Sequence, residues 1–493
     1  MRNSGIGSWP ARRAAMSPGR TALVFEDQPI SYAELHQRIL RLAAALRGSG
    51  VRPGDRVAYL GPNHPSFIET MFATYALGAI FVPLNFRLTA PEISYQMRHS
   101  GAIALITAQP FEGDIPIKVD LSDFEGFVGS GEPVELDEPV SHDDVACILY
   151  TSGTTGNPKG AMLTHGNLIW NTYNLLVCVD VASDEVTLVS APLFHVAALN
   201  QCLLPTFLKG GTSVIMPGWN VDGCFDMIAK HRVTWMFGVS TMFAGLAQSP
   251  RWADADLSSV RNLMTGGASV PEALIRTYQD RGLAFCQGYG MTETAPGATF
   301  LEARESREHV GSAGLPVFFT DVRVEGGGGE PGEVLVRGPN VTPGYWNDPA
   351  ATAASFVDGD WFRTGDLAVV GDDGHFRIVD RTKDMFISGG ENVYPAEVEA
   401  AIFEHPAVAE AAVVGVPDEK WGEVGRAFVV PVPGSRLEPA DVPAFLAGRL
   451  AKYKIPVYVD VVAELPRTGS NKVRKGPLRD LPLPGRLSPA RPG

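Results

Sequence analysis

Apolar positions in the first part of the chain recur with two periods in turn. Leu35, Ile39, Leu42 and Leu46 share one face of a helix that starts at the capping box Ser31-Tyr32-Ala33-Glu34 and runs out at Gly48 and Gly50. Arg56-Val57-Ala58-Tyr59-Leu60 reads as a strand, and Pro65 opens a second apolar helix that ends at Gly78. A further capping box, Thr89-Ala90-Pro91-Glu92, starts a helix that gives way to a strand over 102–107. Helix and strand in alternation imply mainly parallel sheets covered on both faces.

Residues 112–144 are richer in Asp, Glu, Gly and Pro and read as a loop-rich connection. The alternation then resumes. Strands are expected over 145–149, 186–190, 212–216, 233–239, 260–264 and 283–286, with helices over 195–208, after Ser240 and after Ser269-Val270-Pro271-Glu272. From about residue 315 short strands and Gly-rich turns take over, around Gly326 to Gly329, as in a small barrel-like subdomain. Beyond Asp380-Arg381-Thr382-Lys383 the pattern predicts a helix over 395–403, strands over 408–414 and 427–430, a helix over 442–450 and a strand over 457–461. The expected architecture is α/β: an N-terminal domain of helix-flanked, mainly parallel sheets plus the small β-subdomain (1–382), then a mobile α+β domain (383–480). The Pro-rich tail, 481–493, is expected to be disordered.

Composition narrows the class. An apolar fraction of 45% and a charged fraction of 19% over 493 residues are those of a soluble globular protein with more than one core. A net charge of −14 argues against nucleic acid and anionic membrane as partners. Five scattered cysteines (Cys147, Cys178, Cys202, Cys224, Cys286) without a C-x-x-C pair fit a reduced, cytoplasmic setting. Met1 to Arg20 lacks the apolar core of a secretory signal. Thr187 to Leu208 is uncharged and long enough to span a bilayer, but Pro192, His195, Asn200, Gln201 and Pro205 interrupt it, so a buried strand-loop-helix is expected.

One stretch fits neither period. Tyr150-Thr151-Ser152-Gly153-Thr154-Thr155-Gly156-Asn157-Pro158-Lys159-Gly160 follows the strand at 145–149. Such a loop can turn backbone N–H groups and hydroxyls toward phosphate oxygens, with Lys159 as a mobile positive charge. Its G-x-x-G-x-x-K spacing is not the Walker pattern. It resembles the phosphate loop of the acyl-adenylate-forming superfamily, which includes acyl-CoA synthetases, aryl-CoA ligases, luciferases and peptide-synthetase adenylation domains.

The resemblance extends from the Ser31 helix to Lys475 and looks closest to bacterial fatty acyl-CoA ligases. It implies ATP contacts from Thr151, Ser152, Gly153, Thr154, Thr155, Gly156 and Lys159, and from Gly267 and Ala268 of Thr265-Gly266-Gly267-Ala268 against the adenine. In Gly288-Tyr289-Gly290-Met291-Thr292-Glu293 it implies an aromatic face for the base, a hydroxyl for the α-phosphate and, with Thr151, a Mg2+ ligand in Glu293. Asp366 and Arg381 match the ribose-binding pair, and Lys383 the hinge. Ser388, Gly389 and Gly390 match the loop lining the CoA tunnel. Lys472 matches the adenylation lysine, although Asn471 stands where the superfamily usually has Gly; Asn is among the better substitutes at a positive φ. Ala191-Pro192-Leu193-Phe194-His195-Val196-Ala197-Ala198-Leu199 resembles the segment whose His closes over the carboxylate. The acid pocket is therefore expected to include His195, Val196, Ala198, Gly238 and Gly290.

These parts imply catalysis by Lys472, His195, Glu293 and Thr292 with ATP, Mg2+ and CoA. A carboxylate oxygen attacks the α-phosphate, and the thiol of CoA then displaces AMP, so positioning and electrostatics suffice. A medium- or long-chain fatty acid is the expected substrate, with an aryl or cinnamate-type acid as the rival. A carrier protein or an amine is the alternative acceptor.

Overall fold

The computed structural model describes residues 2–133, 137–151, 158–267, 270–326, 329–381, 384–388, 391–467 and 473–484. The chain divides into two compact units. The first comprises 1–267, 276–322 and 336–363, and the second 268–275, 323–335 and 364–493.

The first unit holds two sheets. One runs in the order Ile117–Asp120, Ala104–Thr107, Arg56–Leu60, Ile80–Leu84, Val145–Thr151 and Lys159–Thr164, parallel up to the final antiparallel hairpin. The other has nine strands: Leu315–Pro316, Gly297–Leu301, Phe285–Gly290, Asn262–Gly266, Trp235–Gly238, Val186–Val189, Thr212–Ile215, Thr21–Phe25 and Gln28–Ser31. Its six central strands are parallel, as the alternation predicts, and its ends are antiparallel. The capping boxes at Ser31 and Thr89 form as expected, opening helices Tyr32–Gly48 and Ala90–Ser100.

Three stretches differ from the sequence expectation. Residues 112–144 include the strand Ile117–Asp120 and the helix Phe124–Gly129, which buries only Phe124 and Val128 and is too short to display a period. The expected helix 195–208 is a π-helical turn, Ala198–Leu203, followed by Leu204–Lys209. Pro205 has no N–H with which to continue an ordinary α-helical ladder. The helix Trp9–Met16 and the strand Thr21–Phe25 carry too few periodic positions to stand out. Among the described residues no helix is long and apolar enough to cross a membrane.

The short strands after residue 315 form a five-stranded sheet, in which Trp361–Val370 pairs antiparallel with Phe376–Arg381. Phe376–Arg381, which precedes the expected boundary at 382/383, groups with the second unit, made up of 268–275, 323–335 and 364–493. Asp380 supplies a reason: Oδ1 accepts from the Arg381 amide (2.7 Å) and Oδ2 from the Ala396 amide (2.9 Å), tying that strand to the helix Pro395–Phe403. The sheet of this unit is buried on both sides. Along Val408–Asp418, Val413 joins Phe386, Val398 and Ile402, while Ala412, Val414 and Val416 join Phe428 and Leu478. Leu481 and Pro482, at the start of the expected disordered tail, are held, because buried Arg426 donates to their carbonyls at 2.7 and 3.0 Å while forking onto Asp460. Residues 485–493 and the expected hinge Lys383 lie outside the described residues.

Candidate functional site

The phosphate-loop candidate is the tip of a hairpin. Thr151 and Lys159 are paired across the antiparallel ladder that closes it. Ser152, Gly153, Thr154, Thr155 and Gly156 lie outside the described residues. Lys159 Nζ sits 5.0 Å from the centre of the Tyr345 ring. The Tyr345 hydroxyl donates to Glu293 Oε1 at 2.9 Å, and Thr151 Oγ1 donates to the same oxygen at 3.4 Å. Glu293 itself is only 4% exposed. Burial, reinforced by the charge of Glu293, pushes the Tyr345 phenol well above its ordinary range, so it stays protonated and donating. Carboxylate and hydroxyl oxygens from Glu293 and Thr151 are the donors a hard divalent cation takes, and they fit Mg2+.

Glu293 is presented by a tight passage out of the strand Phe285–Gly290. Thr292–Thr294 is a single 3-10 turn, and Met291 N donates to Pro296 O at 3.0 Å. A Cβ on Gly290 would lie 1.7 Å from Pro296 O, so only glycine fits there. At the end of the neighbouring strand Asn262–Gly266, Gly267 has φ of +82°, and Ala268 lies outside the described residues. Tyr289, Met291 and Thr292 are half-buried, as is Gly288, where a Cβ would lie 2.6 Å from Met264 Cε.

The expected acid-pocket residues divide between two faces of the nine-stranded sheet. Trp235 Nε1 donates to Gln201 O at 3.1 Å, so the π-helical turn covers the face that Trp235 and Phe237 share. His195 is half-buried with its ring 4.6 Å from Phe194, and Val196 and Ala198 are buried. The turn reaches the Gly290–Gly297 pair, since Asn200 Nδ2 donates to Ala295 O at 2.6 Å. Gly238 is not brought together with them. One position beyond Phe237, it lies on the reverse face, where a Cβ would meet the Phe243 ring at 3.1 Å.

Two features escape the sequence reading. The segment Asn340 to Tyr345 supplies Tyr345 to Glu293, and Thr342 N donates to Glu293 O at 2.7 Å. Thr265 and Gln287 stand opposite one another in the parallel register, next to Gly267 and Tyr289. Thr265 Oγ1 and Gln287 Nε2 are buried and meet no hydrogen-bonding group among the described residues, as groups awaiting a ligand do.

In the second unit, Asp366 and Arg381 face one another in the ladder, and Arg381 Nε lies 3.2 Å from Asp366 Oδ1. Thr364 Oγ1 anchors this turn, accepting from Asp366 N at 3.1 Å and donating to Val334 O at 2.8 Å. Gly365 has φ of +72°. Ser388 is buried, whereas Gly389, Gly390, Asn471 and Lys472 lie outside the described residues.

The pattern of the AMP-binding enzymes matches residues 10–346, and that of the AMP-binding enzyme C-terminal domain matches residues 397–472. A feruloyl-CoA synthase of Amycolatopsis sp is 52% identical over 97% of this chain and 99% of its own. A long-chain-fatty-acid–CoA ligase of Mycobacterium tuberculosis is 37% identical over 96% of this chain and 98% of its own. The o-succinylbenzoate CoA synthetase of Bacillus subtilis, solved with its acyl-adenylate intermediate, superposes with a TM-score of 0.89 at 35% identity, covering 97% of this chain and 99% of that one. The chain therefore belongs to the AMP-binding enzymes, the acyl-adenylate-forming superfamily, within its acid–thiol ligases.

Proposed function

We propose that this ligase activates aryl or cinnamate-type carboxylic acids and passes them to CoA. One observation carries the reading: identity to a feruloyl-CoA synthase is 52% along nearly the whole chain, against 37% to a long-chain fatty acid ligase. The medium- or long-chain fatty acid suggested by the sequence motifs becomes the competing reading.

ATP with Mg2+ and CoA serve the two half-reactions. The acid carboxylate attacks the α-phosphate of ATP, and pyrophosphate leaves. Mg2+, held by Glu293 and Thr151, supplies charge neutralisation at the phosphates. Tyr345 and Thr151 hold the Glu293 carboxylate in place, while Lys159, aligned along the Tyr345 ring, meets the departing pyrophosphate. Lys472 stabilises charge as the acyl-adenylate forms. Asp366 and Arg381 hold the ribose, and Thr265 and Gln287 face the adenine. The CoA thiol then attacks the acyl carbon and AMP leaves, with Ser388, Gly389 and Gly390 beside the thiol arm.

The test is a panel of ferulate, cinnamate, benzoate, octanoate and palmitate, assayed first for pyrophosphate release and then for thioester with CoA. Ferulate and cinnamate should exceed palmitate by about tenfold or more in kcat/KM. Faster turnover of palmitate would replace the aryl reading with the fatty one. Pyrophosphate without thioester would point to a carrier protein or an amine as acceptor.

A further inference from the structure

The helix His165–Cys178 carries a stripe that an apolar core does not call for. Asn167, Asn171 and Asn174 recur at helical spacing on one face, and all three are buried. A buried amide left unmatched destabilises the fold, so three in one stripe need a reason. The hydrogen bonds give one, because they converge on the two backbone segments that carry Glu293 and Tyr345.

Asn167 Nδ2 donates to Pro339 O and Val341 O, both at 2.8 Å. Asn171 Oδ1 accepts from Gly297 N at 2.9 Å, and its Nδ2 donates to Asn200 O at 3.0 Å. Asn200 reaches Ala295 O, with its Oδ1 held by Thr172 Oγ1 at 2.9 Å. Asn340 Nδ2 bridges Thr294 O and Gly297 O at 2.8 and 2.7 Å, while its Oδ1 accepts from Thr320 Oγ1 at 2.7 Å. Thr320 is in turn held by Asn174 Nδ2 at 3.1 Å. With Thr342 N on Glu293 O, the backbone at 293, 294, 295 and 297 is bound at every one of these residues.

We propose that Asn171, Asn200 and Asn340 are positioning residues: they lock the turn after Gly290 so that the Glu293 carboxylate is already aimed at the cation of the bound nucleotide. The network acts through Glu293. This rests on the reading of Glu293 as the Mg2+ ligand.

The experiment measures the affinity of Mn2+·ATP by titration calorimetry, together with Tm, in the full-length protein. Asn340→Asp keeps the shape but turns an acceptor toward two carbonyls. Its Kd for Mn2+·ATP should rise about tenfold, as happens when the groups orienting a metal ligand are lost. Thr320→Val, which removes the hydroxyl that donates to Asn340 Oδ1 and accepts from Asn174 Nδ2, should raise Kd several-fold, and Thr320→Ser should restore it. An unchanged Kd in folded Asn340→Asp overturns the proposal. If that variant does not fold, an unchanged Kd in Thr320→Val does so instead. Glu293→Gln separates the two readings. If it leaves Mn2+·ATP binding intact, the cation role of Glu293 falls; if it weakens binding while the network variants do not, only the positioning proposal falls.

Discussion

Glu293 and Tyr345 are far apart in sequence, yet the chemistry proposed for the nucleotide depends on their contact. A buried carboxylate needs hydrogen bonds to stay ionised, and the Tyr345 hydroxyl at 2.9 Å supplies one from a phenol too buried to lose its proton. Tyr345→Phe deletes that donor and little else. A hydrogen bond to a charged group contributes ~1.5–3 kcal/mol, so ATP–pyrophosphate exchange should fall roughly ten- to hundredfold. Thioester formation from supplied acyl-adenylate should change little. Equal loss in both half-reactions would mean that Tyr345 serves the fold and not the cation site. His165 gives a second prediction at this scale. It is buried, its Nδ1 accepts from Ile6 N at 3.3 Å, and burial lowers its pKa from 6.5 to about 4. The unfolded chain therefore binds the extra proton first as pH falls. The stabilisation is fully present above about pH 6.5 and is lost progressively toward about pH 4. His165→Asn should flatten the pH dependence of Tm in that window; an unchanged acid limb would place the acid lability elsewhere.

At the scale of elements, the turn between Phe285–Gly290 and Gly297–Leu301 shows what local sequence displays and what it hides. Gly290 is the residue on which the turn depends, since a Cβ there collides with Pro296 O. Gly290→Ala must push the strand away from Pro296 and Ala298, with a stability loss of ~2 kcal/mol or more and near-complete loss of adenylation. A variant with wild-type Tm and activity would contradict the geometry. The motif Gly288 to Glu293 was legible because its residue types are rare together. The asparagines behind it were not. Asn167, Asn171 and Asn174 look like ordinary polar positions until Pro339, Val341, Gly297, Phe319 and Thr320 arrive from distant parts of the chain. Gly238 lies apart from the other expected pocket residues for the opposite reason. A small residue beside an apolar run suggests room, but the two-residue period of a strand decides which face it joins, and that face belongs to Phe243.

For the molecule as a whole, alternation between helical and strand periods was enough to read the parallel sheets, and the Ser31 and Thr89 motifs were enough to read both early capping boxes. Short elements with few buried positions, such as Phe124–Gly129, left no such trace. That Phe376–Arg381 groups with the second unit was equally hidden, because the Asp380 bond to the Ala396 amide that ties it there is a tertiary contact. Substrate class lies deeper still. The segment from His195 to Ala198 fits a fatty chain or an aromatic ring by composition alone, and overall identity tips the reading toward the ring. The most direct measurement places ferulate and palmitate at equal concentration in one reaction with ATP, Mg2+ and CoA, and quantifies both thioesters by mass spectrometry at early time. The aryl reading predicts feruloyl-CoA in excess by about tenfold or more. Palmitoyl-CoA in excess would contradict it.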